Sequence, residues 1–206
     1  MRKKILSIIA VAALAAAALA AAAALQVGVS DAAAKGPGPG GPGGSGPGTP
    51  SAHVPSDPSK PLTAADAAGL VFMRQEEKLA RDVYTVFGDT YSVRAFDNIA
   101  RSESRHTAAV KSLMDIYSVP DPVAADVPGV FADPQFTQLY NALTAQGKQS
   151  LAGALQAGVT IEKKDIADLE ARIAATDRAD LKAVYGNLLR ASRNHLRAYE
   201  RLLAAL

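Results

Sequence analysis

Glu103 and His106 stand three residues apart in the run Glu103-Ser104-Arg105-His106. On a helix that spacing puts both side chains on one face, within reach of a common metal ion. The pair is short enough to arise by chance, and on a solvated helix it would do nothing. Three other segments add to it. Glu77 lies among Met73, Ala80 and Tyr84; Glu162, followed one turn later by Asp165, lies among Val159, Ile161, Ile166 and Leu169; His195 lies among Leu188, Leu189, Leu196 and Leu202. A carboxylate among apolar neighbours needs a partner, because burying it unpaired is costly. For Glu103 and His106 the plain alternative is a buried ion pair. The alternative with chemistry is a metal centre, and oxygen donors mixed with imidazole suit iron or manganese.

Composition narrows the chemistry further. None of the 206 residues is Cys, which removes disulfides, thiolate zinc, iron–sulfur clusters and a Cys nucleophile. Any metal must be held by carboxylate or imidazole. Residues 63–206 carry 17 Lys and Arg against 18 Asp and Glu. So even a balance leaves no electrostatic footprint for nucleic acid.

The elements that must position these residues read as helices. Helix A is expected from Thr63, with Asp66 in a capping-box position, to Gly88 as terminator. Helix B is expected from near Ser92 to Tyr117, before Val119-Pro120. A loop follows to Ala132, then a short helix opened by Asp133-Pro134 and closed at Gly147. Ser150 is expected to cap helix C, which runs to Ala175, and Thr176 to cap helix D, which runs nearly to Leu206. Short links from A to B and from C to D predict two antiparallel hairpins. The thirty or so residues from B to C form one long crossover containing the short helix. That connectivity predicts an all-α fold, a ferritin-like four-helix bundle, rather than an up-down bundle with three short loops.

Ahead of this domain, expected over residues 62–206, two segments have other purposes. Arg2-Lys3-Lys4, an apolar run from Ile5 to Leu25 and Ala32-Ala33-Ala34 have the order of a signal peptide over residues 1–34. The protein is then secreted or extracytoplasmic; left uncleaved, the same run is long enough for a membrane anchor and cell-surface tethering. Residues 35–61 are rich in Gly and Pro without a three-residue period, the composition of a disordered tether. His53, inside it, reads as a solvated residue.

The stretch Glu77-Lys78-Leu79-Ala80-Arg81-Asp82-Val83-Tyr84, with Glu103-x-x-His106 on the next helix, resembles the first two helices of ferritin and rubrerythrin-type di-iron proteins. The whole segment 70–203 resembles an exported prokaryotic ferritin-like family, a domain of unknown function. The matching features are the run Glu76 to Tyr84, Gly129-Val130-Phe131-Ala132-Asp133, Gly158-Val159-Thr160-Ile161-Glu162 and Ser192-Arg193-Asn194-His195-Leu196. The resemblance implies a ligand set of Glu77, Glu103, His106, Glu162 and His195. It also exposes a departure: helix D should offer a second Glu-x-x-His and offers Ser192-x-x-His195. Asp165 is the candidate substitute, and one tightly held metal is expected before two.

The function expected on this basis is that of an exported iron protein, with manganese as the other metal, reacting with dioxygen or peroxide in ferroxidase or peroxidase fashion. The alternative is a non-catalytic extracytoplasmic metal-binding or interaction module. Glu76 is expected at the surface beside Lys78 or Arg81, Tyr84 in the core with its hydroxyl on a carboxylate, and Tyr117, Tyr140, Tyr185 and Tyr199 as packing residues. Arg190, Arg193, Arg197 and Arg201 form a stripe expected on a solvated face.

Overall fold

The computed structural model describes residues 56–123 and 125–206. The expected signal peptide and the tether up to residue 55 lie outside the described residues. The described residues form five α-helices and no strand: α1 Ala64–Tyr91, α2 Arg94–Ile116, α3 Pro134–Gly147, α4 Leu151–Ala175 and α5 Ala179–Ala204. Three of the helix starts follow from their caps. Thr63 Oγ1 accepts from Asp66 N at 3.1 Å while Asp66 Oδ2 accepts from Thr63 N at 3.3 Å, a reciprocal capping box. Asp133 Oδ1 accepts from Gln135 N at 2.9 Å ahead of Pro134, and Ser150 Oγ accepts from Gly153 N at 3.0 Å.

Two expected boundaries are corrected. Helix α1 runs through Gly88 and ends at Tyr91, with Ser92 left-handed at φ 52°. A Cβ at Gly88 would press on the Asp97 carboxylate of α2, while the Asp97 backbone stands at ordinary contact distance, 3.8 Å. Ser92, expected to open the second helix, therefore closes the first, and Val93 caps α2 without a side-chain bond. Likewise Thr176 closes α4, its Oγ1 accepting from Arg178 N at 3.2 Å, and Arg178 caps α5.

Helix α1 packs on α2, and α4 on α5, each pair joined by a link of a few residues; α1 also meets α4 and α3, α2 meets α5, and α3 lies on α4. The apolar core divides into two layers. Leu70, Met73, Val110, Leu113, Met114, Leu169, Leu181, Tyr185 and Leu188 form one. Leu79, Tyr84, Phe87, Phe96, Ile99, Leu155, Val159, Ile161 and Tyr199 belong to the other. On each of α1, α2, α4 and α5 the residues between the two layers are polar: 76–77, 103–106, 162–165 and 192–195. A polar stratum thus lies inside an apolar core.

A second polar face of α1 holds the segment between α2 and α3. Arg74 pairs with Asp121 at 3.2 Å, Gln75 Oε1 accepts from Asp133 N at 2.9 Å, and Arg81 Nη1 donates to Asp126 at 3.0 Å. Lys78, 0 % exposed, donates to the Val127 carbonyl at 2.8 Å, pairs with Asp82 and lies 4.5 Å over the Phe131 ring. Asp82 in turn accepts from Gly129 N at 2.9 Å.

The residues just ahead of α1 are held as well. Arg178 donates to the carbonyls of Lys60 at 2.6 Å and Asp57 at 3.0 Å, with its guanidinium 4.5 Å over the Tyr117 ring. Tyr117 is more than packing: its hydroxyl accepts from Asp57 N at 3.2 Å and from Arg178, and donates to Asp180.

Candidate metal centre

Glu103 stands at the middle of the polar stratum. Its Oε2 lies 2.6 Å from His106 Nδ1 and its Oε1 2.8 Å from His195 Nδ1, so one carboxylate touches both imidazoles. His106 Nδ1 is also 3.1 Å from Glu77 Oε2, and His195 Nδ1 3.6 Å from Glu162 Oε1. The two rings stack at 5.8 Å between centroids and 25° between planes. Glu77, Glu103 and His106 form one group able to hold a cation, and Glu103, Glu162 and His195 a second; in each, one donor atom per residue lies within 4.8 Å of the others. Glu103 belongs to both.

The periodicity that makes the helices amphipathic also brings these residues together. Glu103 and His106 share a face of α2, while Glu77, Glu162 and His195 occupy the matching level on α1, α4 and α5. All are buried. Tyr84, two turns from Glu77, donates from its hydroxyl to Glu162 Oε1 at 2.8 Å, the hydrogen bond expected of it. Asp165 is buried, and burial together with the charges of Glu77, Glu76 and Glu162 raises its carboxyl well above the ordinary value. It falls outside both three-residue groups. Ser192, fully buried, directs its hydroxyl to the Leu188 carbonyl at 3.0 Å.

The electrostatics are those of a site balanced by protons. Burial alone would lower both imidazoles, but Glu103 and Glu77 raise His106 to about 10, and Glu103 and Glu162 raise His195 to about 9. Burial alone would raise Glu103, yet contact with the two rings outweighs it and pulls its carboxyl well below the usual range. Burial does raise Glu77 and Glu162, assisted by the negative charge on Glu103, and it raises Asp165 with the help of Glu77. Contact with the two rings thus favours the ionised form of Glu103 and the protonated form of the imidazoles, while burial disfavours charge on the carboxyls around them.

Several atoms here have no hydrogen-bond partner although they are buried: Glu77 Oε1, Glu103 Oε1, His195 Nδ1 and Asp165 Oδ1. Glu103 Oε1 and His195 Nδ1 are 2.8 Å apart and still lack the alignment of a hydrogen bond. Buried groups left this way are rare and costly. Donor atoms at right angles around an ion, with bonds of about 2.1 Å, stand about 3 Å apart. The donor set thus fits a divalent cation.

Sequence reasoning missed two residues beside the centre. Glu76, expected at the surface, is 2 % exposed and pairs with Lys164 of α4 at 2.6 Å, away from Lys78 and Arg81. Lys78, named from the sequence only as a neighbour for Glu76, is fully buried and anchors the segment between α2 and α3. The glutamate was detectable only from its neighbour: two consecutive glutamates on a helix lie about 100° apart, and α1 is covered on enough of its circumference to bury both.

The chain belongs to the family described as the uncharacterized protein domain DUF2202, whose model matches residues 66–205. It is 48% identical over 151 residues to the uncharacterized protein MJ0754 of Methanocaldococcus jannaschii, a match covering 73% of this chain and 82% of that protein. The crystal structure of that hypothetical protein superposes with a TM-score of 0.71, covering 73% of this chain and 86% of the other. The family match, over residues 66–205, takes in Glu77, Glu103, His106, Glu162 and His195.

Proposed function

We propose that this protein is a ferritin-like metal protein that holds iron, or manganese, at the Glu103 centre for redox reaction with dioxygen or peroxide. The observation that carries the reading is the Glu103 Oε1 to His195 Nδ1 contact, two buried donor atoms at ligand spacing with no hydrogen bond between them. The helix order supports the ferritin-like, four-helix assignment: α1 with α2, α4 with α5, and the long connection with α3 between the pairs.

In this reading His106 and His195 offer nitrogen through Nδ1, Glu103 serves both three-residue groups, and Glu77 and Glu162 complete one group each. Tyr84 fixes the Glu162 carboxylate. Asp165, facing Ser192 across α4 and α5, supplies the carboxylate that Ser192 does not. A bound redox ion would supply the electrons for reduction of dioxygen or peroxide. The chain's own contribution is to neutralise that ion, exclude water with two apolar layers, and release protons from His106, His195, Glu77 and Glu162 when the ion enters. The reading of residues 1–34 as a signal peptide places this centre outside the cytoplasm.

Anaerobic calorimetry with Fe(II), followed by optical spectra after exposure to peroxide, tests the proposal. Binding that releases protons and vanishes in Glu103→Ala supports it. Absence of binding by Fe(II) and Mn(II) would sink it and leave a non-metal interaction module.

A further inference from the structure

The two imidazoles of the centre are held differently on their outer sides. Each turns Nδ1 inward: His106 Nδ1 to Glu103 Oε2 at 2.6 Å and Glu77 Oε2 at 3.1 Å, His195 Nδ1 to Glu103 Oε1 at 2.8 Å. On the other edge of its ring, His106 Nε2 lies 3.5 Å from the hydroxyl oxygen of Ser102, one turn earlier on α2. His195 has no such neighbour among the described residues, and its polar contacts are all through Nδ1.

Ser102 makes this contact in place of a more usual one. A serine inside a helix commonly turns its hydroxyl back to the carbonyl four residues earlier. Four serines lie inside the helices of the chain's described residues. Three follow the common pattern: Ser104 donates to the Ala100 carbonyl, Ser112 to that of Ala108 and Ser192 to that of Leu188, each at 3.0 Å. Ser102 alone has its hydroxyl on a side chain, and that side chain belongs to a group able to hold a cation.

An imidazole that offers Nδ1 to a cation carries its proton on Nε2, and the acceptor of that proton fixes both the tautomer and the rotation of the ring. A serine present only for packing would have no reason to leave the pattern of the other three.

We propose that Ser102 is a positioning residue of the centre: its hydroxyl oxygen accepts from His106 Nε2–H and so holds Nδ1 toward Glu77 and Glu103 as the nitrogen offered to the ion. The inference rests on the metal reading above. Tyr84 does the corresponding work for Glu162, so each three-residue group has one member steadied by a hydroxyl.

Anaerobic calorimetry with Fe(II) reads the affinity, and chemical denaturation without metal reads the scaffold. Ser102→Ala should weaken Fe(II) binding about tenfold, the low end of what an outer partner of a metal-bound imidazole contributes, since the contact is long. Its metal-free stability should be no lower, because alanine is the better helix former. Ser102→Thr keeps the acceptor and should keep the wild-type affinity. With Zn(II) as a diamagnetic stand-in, nitrogen NMR spectra of labelled histidine should place the His106 proton on Nε2. Wild-type affinity in Ser102→Ala, or a His106 proton on Nδ1, would overturn the assignment. So would an affinity lost equally in Ser102→Thr, or matched by a loss of metal-free stability, since either makes Ser102 a packing residue. A wild type that binds no Fe(II) removes the centre itself, which separates failure of the metal reading from failure of the positioning bond.

Discussion

Helix α1 carries buried charge on two faces, and the two faces are finished to different degrees. Towards the α2–α3 segment, Lys78 and Asp82 satisfy each other, Val127 and Gly129. Towards α2 and α4, Glu76, Glu77, Glu103, Asp165 and His195 each keep an atom without a hydrogen bond. Both faces bear the cost of desolvating charge; the first recovers it in full within the chain, the second only in part through the Glu103–His106 and Glu76–Lys164 contacts. Buried charge that is fully paired holds a segment in place, whereas buried charge left partly unpaired marks a place where a cation is needed.

The largest effect should come from breaking the finished face. Lys78→Met leaves Asp82 buried without its ammonium, and removal of one partner of such a pair typically costs about 3–5 kcal/mol. Chemical denaturation should show that loss with or without metal. A loss below about 1 kcal/mol would erase the distinction between the faces.

Next in size is the response to metal. An ion that binds only the folded chain stabilises it by about 2.7 kcal/mol at a hundred times its dissociation constant, so Fe(II) or Mn(II) should raise the melting temperature of wild type. His106→Ala should abolish the rise. A rise that survives in His106→Ala would remove α2 from the centre.

The pH dependence of the metal-free protein should be smaller, on the order of 2 kcal/mol, because the clustered groups share their protons. His106 and His195 are raised in the folded state to about 10 and about 9. Groups raised in this way contribute stability in full below their unfolded value near 6.5, and that contribution is lost as pH climbs through the folded values. The melting temperature in EDTA should therefore fall between pH 7 and 10. Metal-loaded protein should hold steady over that window, since the protons have already left. A flat metal-free profile would contradict the imidazolium pair.

The smallest effect sharpens the contrast. Burial raises Glu77 to about 8, so below that pH Glu77→Gln replaces a mainly neutral group by another and should change metal-free stability by less than about 1 kcal/mol. The same variant should weaken the metal response. Equal damage with and without metal would make Glu77 a structural residue.

Most of the helix plan was legible in the sequence because caps and apolar period are local signals: Thr63 with Asp66, Asp133 with Pro134, and Ser150 all sit where their chemistry required. The gathering of Glu77, Glu103, His106, Glu162 and His195 was legible for a related reason, since each polar residue interrupts an apolar stripe at one level of its helix. Gly88 was misread because a helix can run through a glycine, and here the left-handed residue that ends it is Ser92. Glu76 was misread, and the burial of Lys78 went unseen, because a charged residue on an amphipathic helix ordinarily faces water. What buries them are the 118–133 segment and α4, whose positions depend on tertiary contacts that periodicity does not encode.

The grip of Arg178 on the carbonyls of Asp57 and Lys60 has a mechanical consequence. A pull applied at residue 57 does not reach the first turn of α1 directly. It loads Arg178 at the start of α5 first, and through Tyr117 the end of α2. The residues ahead of α1 are thereby tied to the start of α5 and the end of α2 as well as to α1 itself.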